Sequence, residues 1–176
     1  MTPVLQAVDL TKSYGDHIAL NRLHLSIQKG EVFCLLGQNG AGKTTTINLI
    51  LGFVEASSGQ ILVNGTEITE NSRKSLAYIP EVVQLYSNLN GLENLDFFSR
   101  LAGYRYSVEE LTGFLGKVGL QTEAHSKRLS TYSKGMRQKV GIAIALAKNA
   151  DLILMDEPTS GLDPKATAEF TAICKE

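Results

Sequence analysis

The sequence has little of what disulfide-stabilised and membrane-spanning proteins are built from. Its 176 residues include no tryptophan and only two cysteines, Cys34 and Cys174, which lie far apart. Two such cysteines supply no disulfide framework, so the chain must be stabilised by a packed core. All apolar stretches, residues 32–36 among them, are far shorter than the roughly 20 residues that cross a bilayer.

Neither sign of charge dominates the chain. The 17 basic and 18 acidic side chains give a formal net charge of −1. This balance does not indicate a polyanion as partner, and we expect no nucleic-acid binding. Because 43% of the residues are apolar, a domain of this length can bury a core, which excludes general disorder. The few cysteines and the absence of a leader pattern at residues 1–4 predict a cytoplasmic protein.

Two kinds of apolar pattern predict strands. Alternating apolar residues are typical of half-exposed strands. Continuous apolar runs are typical of parallel strands buried on both faces, and such runs occur at residues 32–36 and 152–155. Alternating strands are predicted at 5–10, 23–27, 61–63 and 66–68, the last two joined by a turn at Asn64-Gly65.

Apolar residues spaced three and four positions apart predict helices between these strands. Ser107 followed by Glu110 predicts a capping box at the start of one helix, and Gly119 predicts its end. Because buried strands alternate with helices, the predicted fold class is α/β. The predicted helices are 45–51, one with the apolar face Leu92, Leu95, Phe98 and Leu101, one with the face Val108, Leu111, Leu115 and Val118, then 135–148 and 165–176.

A glycine-rich octapeptide stands between the predicted strand 32–36 and the predicted helix 45–51 and matches the P-loop pattern. In a P-loop, glycines let successive backbone N–H groups point at phosphate oxygens, beside a helix N-terminus. Lys43 would reach the β and γ phosphates, and the Thr44 hydroxyl would bind Mg²⁺. The alternative is a chance glycine-rich turn. The candidate ATP-binding residues are Gly37, Gln38, Asn39, Gly40, Ala41, Gly42, Lys43, Thr44 and Thr45.

Two adjacent carboxylates end the predicted strand 152–155. Strand ends are where open α/β sheets bind ligands. We expect Asp156 to hold Mg²⁺ through its water shell and Glu157 to act as the catalytic base that deprotonates the attacking water. Taken alone, such a pair is also typical of a solvated strand end or a helix cap, so its assignment depends on the P-loop.

The segment 132–138, Tyr-Ser-Lys-Gly-Met-Arg-Gln, resembles the signature motif of ABC-transporter ATPases. The resemblance covers the whole chain and implies a RecA-like P-loop core, an N-terminal antiparallel β subdomain and a helical subdomain that carries the signature motif. Glu157 then closes the Walker B motif, Asp163 lies in the D-loop, and Tyr14 stacks on adenine. In this family two domains pair head to tail. The residues that would close over the nucleotide of the other subunit are Ser133, Lys134, Gly135 and Met136.

The resemblance also implies how the domain is divided. Residues 1–85 would hold the β subdomain and the Walker A core, 86–150 the helical subdomain, and 151–176 the Walker B motif and the D-loop. Simpler interpretations remain for single residues: Ser133 is also a plain N-cap, and Tyr14 is also an ordinary strand-end aromatic residue. Six cations between 127 and 148 would suit a triphosphate but are more often a solvated helix face. They are Lys127, Arg128, Lys134, Arg137, Lys139 and Lys148.

Two positions depart from the commoner family pattern. Lys134 lies where many members have glycine, and Glu81 occupies the position of the Q-loop glutamine. Both features are similar to the ABC-2 exporter class, in which a soluble ATPase subunit drives a separate integral membrane permease. The Q-loop role falls on Glu81 or on the nearby Gln84, and position favours Glu81. The resemblance thus implies a subunit at the inner face of the cell membrane, paired with itself or with a related ATPase.

The family's switch histidine has no counterpart in the 176 residues, because His17, His24 and His125 all precede Asp156. By resemblance, the strand before that histidine lies between the strands at 32–36 and 152–155. Without it, both strands would have an unpaired edge. We therefore expect the sequence to be a fragment or a prematurely ended product of a longer subunit.

Other functions compete with a transport ATPase. A nucleotide-dependent interaction module would bind ATP without hydrolysing it, as the missing histidine suggests. An ABC ATPase of DNA repair or translation is disfavoured, since the sequence has neither a long heptad run nor a second P-loop. A small-molecule kinase shares only the P-loop and leaves residues 132–136 unexplained.

Overall fold

The computed structural model describes residues 2–174, which fall into two units, the first ending at Leu76 and the second beginning at Ala77. The elements of the first unit are β1 (Leu5–Tyr14), β2 (His17–Ile27), α1 (Lys43–Leu51), β3 (Ser58–Val63), β4 (Thr66–Glu67) and α2 (Glu70–Arg73). They are followed by β5 (Leu76–Ile79), α3 (Gly91–Leu101), α4 (Val108–Lys117), α5 (Thr122–His125), a 3-10 turn (Leu129–Thr131), α6 (Lys134–Ala147), β6 (Leu152–Met155) and α7 (Pro164–Ile173).

The strands of the first unit form an antiparallel sheet in the order β2–β1–β3–β4. Leu5 and Leu10 on β1 are fully buried, which makes this central strand part of the core of the unit. The predicted hairpin is confirmed, with Val63 paired to Thr66. Asn64 and Gly65 have φ values of +51° and +78°, the left-handed values that a tight two-residue hairpin turn requires.

The prediction of a buried strand at residues 32–36 is wrong. The segment has no regular secondary structure, and Val32 and Leu36 are 62% and 89% exposed. A strand is held by ladder hydrogen bonds to a neighbour, and this segment joins neither of the two sheets formed by residues 2–174. The apolar pattern alone therefore does not make it a strand.

The core of the second unit lies between α3, α4 and α6. Leu95, Leu115 and Val140, one from each helix, are fully buried. The predicted apolar faces are therefore confirmed at their centres. Each is wrong at one end, because Leu101 and Val108 are 74% and 70% exposed. These residues are the last of α3 and the first of α4, where the helices extend past their packing partners.

Side-chain caps fix where α3 and α4 begin. The predicted capping box of α4 is confirmed: the Ser107 hydroxyl accepts from the Glu110 N–H at 3.2 Å, and the Glu110 carboxylate accepts from the Ser107 N–H at 2.7 Å. The Ser107 N–H and the Ser107 hydroxyl both donate to this carboxylate, and these two hydrogen bonds hold the pKa of Glu110 below its usual value. Asn90 and Glu93 form the same arrangement at the start of α3.

Strands β5 and β6 form a second sheet. The Asp156 N–H donates to the Ile79 carbonyl at 3.0 Å, so both strands end at the same edge of this sheet. Strand β6 is half-buried along its length, and the prediction that it is buried on both faces is wrong. Within residues 2–174 it has a sheet partner on one edge only, which leaves its side chains partly accessible.

Helix α7 confirms the helix predicted after Asp163. It begins at Pro164, and the Asp163 carboxylate caps it by accepting from the Ala166 N–H at 2.9 Å. The predicted end at Glu176 lies outside the described residues. No helix formed by residues 2–174 is both long and apolar enough to span a membrane.

Candidate functional site

The glycine-rich loop lies directly before α1, as predicted, although an irregular segment rather than a strand precedes it. Gly40 and Gly42 both have φ of +86°, and Gly42 is the N-cap of the helix. No side chain caps α1 and no acidic residue stands in its first turn. The N–H groups at the start of the helix are therefore available to an anion.

The Lys43 side chain folds back over the loop. Its ammonium donates to the carbonyls of Gly37 and Gln38 at 2.7 Å and 3.0 Å. In the described part of the chain no carboxylate lies within ion-pairing distance of it. Among the described residues, the Lys43 ammonium is thus held by the dipoles of two main-chain carbonyls and by no negative charge. An ammonium in this environment favours an anionic ligand.

Three threonines follow Lys43 and have different environments. Thr44 is exposed and Thr45 is half-buried, while Thr46 is buried. The Thr46 hydroxyl donates to the Gly42 carbonyl at 2.9 Å, which ties the first turn of α1 to the end of the loop. Sequence reasoning missed this positioning role, although the run of threonines was a signal for it. Thr44 has the accessible hydroxyl that a metal ligand needs.

Tyr14, the predicted adenine-stacking residue, is the last residue of β1 and is 47% exposed. The Lys12 ammonium lies 4.9 Å from the centre of its ring. An exposed aromatic face is compatible with stacking and equally with an ordinary strand-end aromatic residue.

The two candidate carboxylates directly follow β6. Asp156 is half-buried and Glu157 is exposed. Burial of Tyr78 on β5, together with the charge of Asp156, raises the pKa of the Tyr78 hydroxyl. Glu157 has φ of +41°, an uncommon value for a residue with a side chain and one that often marks functional sites. Sequence reasoning missed Tyr78, which carries no motif of its own.

The signature segment forms the start of α6. Ser133 is the N-cap, and its hydroxyl accepts from the Met136 N–H at 3.2 Å. A Cβ built on Gly135 would lie 3.6 Å from Ala166 and 3.7 Å from Leu162, so the helix start lies against the residues around the α7 cap Asp163. Gln138, missed as a functional candidate, is fully buried and donates its side-chain amide to the Pro158 carbonyl.

Glu81 and Gln84 differ in their contacts. The Glu81 carboxylate accepts from the Ser160 hydroxyl at 2.8 Å and lies 3.8 Å from the Lys134 ammonium. Gln84 is exposed. The structure therefore brings Glu81 together with the signature and with the turn after β6. Of the six cations near α6, Lys139 is also paired, at 2.7 Å from Glu169.

The candidate residues belong to two sets. Tyr14 and the glycine-rich loop lie in the first unit, and the candidate residues from Glu81 onward lie in the second. Within residues 2–174 no group of three or more histidine, cysteine or acidic side chains is arranged to hold a metal ion. A metal ligand in either set would therefore need further oxygen ligands from nucleotide and water, which suits Mg²⁺.

Among the relatives found by comparison with known proteins, two illustrate the match. The bacitracin transport ATP-binding protein of Bacillus licheniformis is 38% identical over 175 residues, which is 97% of this chain and 56% of that protein. The lantibiotic transport ATP-binding protein SrtF of Streptococcus pyogenes is 36% identical over 170 residues, 97% of this chain and 73% of that protein. The chain thus spans little more than half the length of the first relative.

The fold has a close counterpart among solved structures. The crystal structure of the ADP conformation of an ATP-binding cassette from an ABC transporter matches 99% of this chain and 76% of its own, with a TM-score of 0.88 and 25% identity. The predicted fold class, α/β with a RecA-like P-loop core, an N-terminal antiparallel β subdomain and a helical subdomain, is therefore confirmed. The family model for the ABC transporter domain matches residues 20–160. The chain belongs to the ABC transporter family.

Proposed function

We propose that this chain binds Mg-ATP at residues 37–45 and hydrolyses it as part of an ATP-binding subunit of an ABC-2-like transporter. The observation that carries the proposal is the ammonium of Lys43, held over a glycine-rich loop by two main-chain carbonyls and by no carboxylate of the described residues. Its charge and the first-turn N–H groups of α1 together form a phosphate site.

Phosphate binding would replace the contacts that Lys43 now makes. Phosphate oxygens are better acceptors for an ammonium than the carbonyls of Gly37 and Gln38, because they carry charge. An open position at Gly40, where an added Cβ would contact nothing within 4 Å, leaves the loop accessible. The exposed Thr44 hydroxyl and the half-buried Asp156 are the proposed holders of Mg²⁺, which neutralises phosphate charge when bound.

Glu157 is the proposed general base. Its exposed carboxylate would orient a water molecule and accept its proton. Burial of Tyr78, together with the charge of the adjacent Asp156, raises the pKa of the Tyr78 hydroxyl. Ser133 and the start of α6 present a second anion-binding helix end, which we assign to the nucleotide of a partner subunit.

The partners of the proposed subunit are a second ATPase subunit, identical or related, and a separate integral membrane permease. The relatives support this assignment, since two of them are named as transport proteins for bacitracin and for a lantibiotic. The subunit would then lie on the cytoplasmic side of the membrane, attached through the permease.

Binding of ATP to the purified chain tests the phosphate site. In Lys43→Ala, each lost charge-assisted hydrogen bond removes about 1.5–3 kcal/mol, so ATP affinity should fall by at least tenfold. Lys29→Ala is the matched control, because Lys29 is an exposed lysine of the same unit outside the loop. Equal affinity for the wild-type chain and Lys43→Ala, measured by titration with a fluorescent ATP analogue, would refute the site.

Hydrolysis of Mg-ATP tests the base. Glu157→Gln should leave ATP affinity unchanged and lower turnover by roughly 10² to 10⁴, the contribution of a general base. Glu123→Gln, at an exposed position of α5, controls for the loss of one negative charge. ATP binding without turnover in the wild-type chain would contradict the proposed hydrolysis and support a binding-only role.

A further inference from the structure

The two residues that depart from the commoner family pattern contact each other. Oε1 of Glu81 lies 3.8 Å from Nζ of Lys134, and the same oxygen accepts from the Ser160 hydroxyl at 2.8 Å. Glu81 follows β5, Lys134 is the first residue of α6, and Ser160 lies in the turn after β6. We call Glu81, Lys134 and Ser160 the Glu81 cluster. It joins three elements that are distant in sequence.

Lys134 also lies along the turn that contains Ser160. Its ammonium is 3.4 Å from the position that a Cβ on Gly161 would occupy. One helical turn further along α6, the Gln138 amide donates to the Pro158 carbonyl. Two side chains of one helix face thus contact the segment 158–161.

The segment itself has little internal structure. The Ser160 N–H donates to the Glu157 carbonyl at 2.9 Å, and the Leu162 N–H donates to the Thr159 carbonyl at 3.1 Å. Such short turns fix local shape but not the direction of the segment. Its placement against α6 and β5 therefore depends on side-chain contacts, among which the Glu81 cluster provides the charged ones.

The exposure of the pair indicates what it contributes. The side chains of Lys134 and Glu81 are 34% and 49% exposed, and such ion pairs add little to stability. A single carboxylate oxygen that faces both an ammonium and a hydroxyl nevertheless specifies one geometry. If a neutral residue replaced Glu81, the Lys134 ammonium beside Gly161 would lose its counter-charge. The two residues are therefore interdependent.

We propose that Glu81 and Lys134 are a charge-matched pair of positioning residues that hold the turn 157–161, and with it Glu157, against α6. The positioning of the turn stands on these contacts alone, whereas its consequence for hydrolysis rests on the proposed function.

A charge-swap cycle tests the pair in the 176-residue chain. Glu81→Lys and Lys134→Glu each place like charges together, and the double variant restores opposite charges. Lys at 81 would still reach the Ser160 hydroxyl, which can accept as well as donate. Asp96→Lys, which breaks the exposed Asp96–Arg100 pair on α3, is the matched control.

Hydrogen exchange of the backbone amides at 159–162, followed by NMR or mass spectrometry, is the first readout. Each single variant should exchange up to roughly fivefold faster, the limit that an exposed ion pair sets. The double variant should return to the wild-type rate, and Asp96→Lys should not change it. Unchanged exchange in both single variants, or no recovery in the double variant, would overturn the proposal.

Steady-state ATP hydrolysis is the second readout. A positioning role predicts that both single variants lower kcat and that the double variant recovers it, whereas the loss of a separate nucleotide contact at Glu81 or Lys134 would not be repaired by the second substitution. A kcat that stays at the wild-type value in the single variants would overturn the catalytic consequence. A wild-type chain without turnover would instead count against the proposed function, while the exchange rates still decide whether the pair positions the turn.

Discussion

Gly42 is a residue whose position leaves no room for a side chain. Its φ is +86°, and a Cβ built there would lie 2.6 Å from the Ala19 carbonyl oxygen on β2. In Gly42→Ala, the strained backbone should cost about 1–3 kcal/mol and the clash a similar amount. We expect a correspondingly lower free energy of unfolding, measured by urea denaturation.

Gly103→Ala separates the two causes. Gly103 also has a left-handed φ, +92°, but an added Cβ would contact nothing within 4 Å. Gly103→Ala should therefore lose only the unfolding free energy that results from backbone strain. Equal losses of unfolding free energy in the two variants would show that the close approach of Gly42 to β2 adds nothing to the cost of Gly42→Ala.

At the scale of elements, an ion pair joins α6 to α7. The Lys139 ammonium donates to the Glu169 carboxylate at 2.7 Å and to the Gly119 carbonyl at 3.0 Å. The hydrogen bond and the charge of Lys139 hold the pKa of Glu169 below its usual 4.5. Because the pKa is lower in the folded state, the stabilisation is present above pH 4.5 and is lost as the pH falls through the folded value.

Glu169→Gln should therefore be less stable than the wild type at neutral pH and equally stable once the pH is below the folded-state pKa of Glu169. Chemical denaturation at the two pH values measures this difference. Glu55→Gln is the matched control, since Glu55 is an exposed glutamate that lies outside the helices. A deficit of Glu169→Gln that is equal at both pH values would show that packing, not charge, links the helices.

Elements whose signals are local could be predicted from the sequence. The capping box at Ser107 and the turn at Asn64-Gly65 depend on a few neighbouring residues, and both are confirmed. Residues 32–36 could not be predicted correctly in the same way. A strand depends on hydrogen bonds to a partner from elsewhere in the chain, and an apolar run does not encode that partner.

The candidate site shows the same difference between local features and contacts that join distant parts of the sequence. The glycine-rich loop and α1 lie in one stretch of sequence, so their spacing predicted that the loop lies directly before the helix. The contact between Glu81 and Lys134 joins residues from separate elements. Each was visible as a departure from a family pattern, but nothing in the sequence showed that the two side chains meet.

At the scale of the whole molecule, the exposed apolar segment 32–36 should drive self-association. Val32, Phe33 and Leu36 are all exposed, and an exposed apolar segment can associate with another chain. Leu36→Lys should weaken this association and leave the free energy of unfolding unchanged, because the Leu36 side chain contributes little to the core. Sedimentation velocity over a range of concentrations measures the effect.

Val108→Lys is the matched control, since Val108 is an exposed apolar residue at the start of α4. A lone apolar residue on a helix forms no continuous apolar segment, so this variant should associate like the wild type. If the two variants reduced association equally, general surface hydrophobicity rather than the segment 32–36 would be responsible.

The backbone conformation of Glu157 lowers thermal stability. Selection for stability therefore acts against keeping a carboxylate at this position. Its φ of +41° costs a residue with a side chain about 1–3 kcal/mol, whereas glycine adopts such values freely. A laboratory screen that selects only for heat resistance should therefore enrich Glu157→Gly. A lineage that keeps glutamate at this position is being selected for a property other than the stability of the protein.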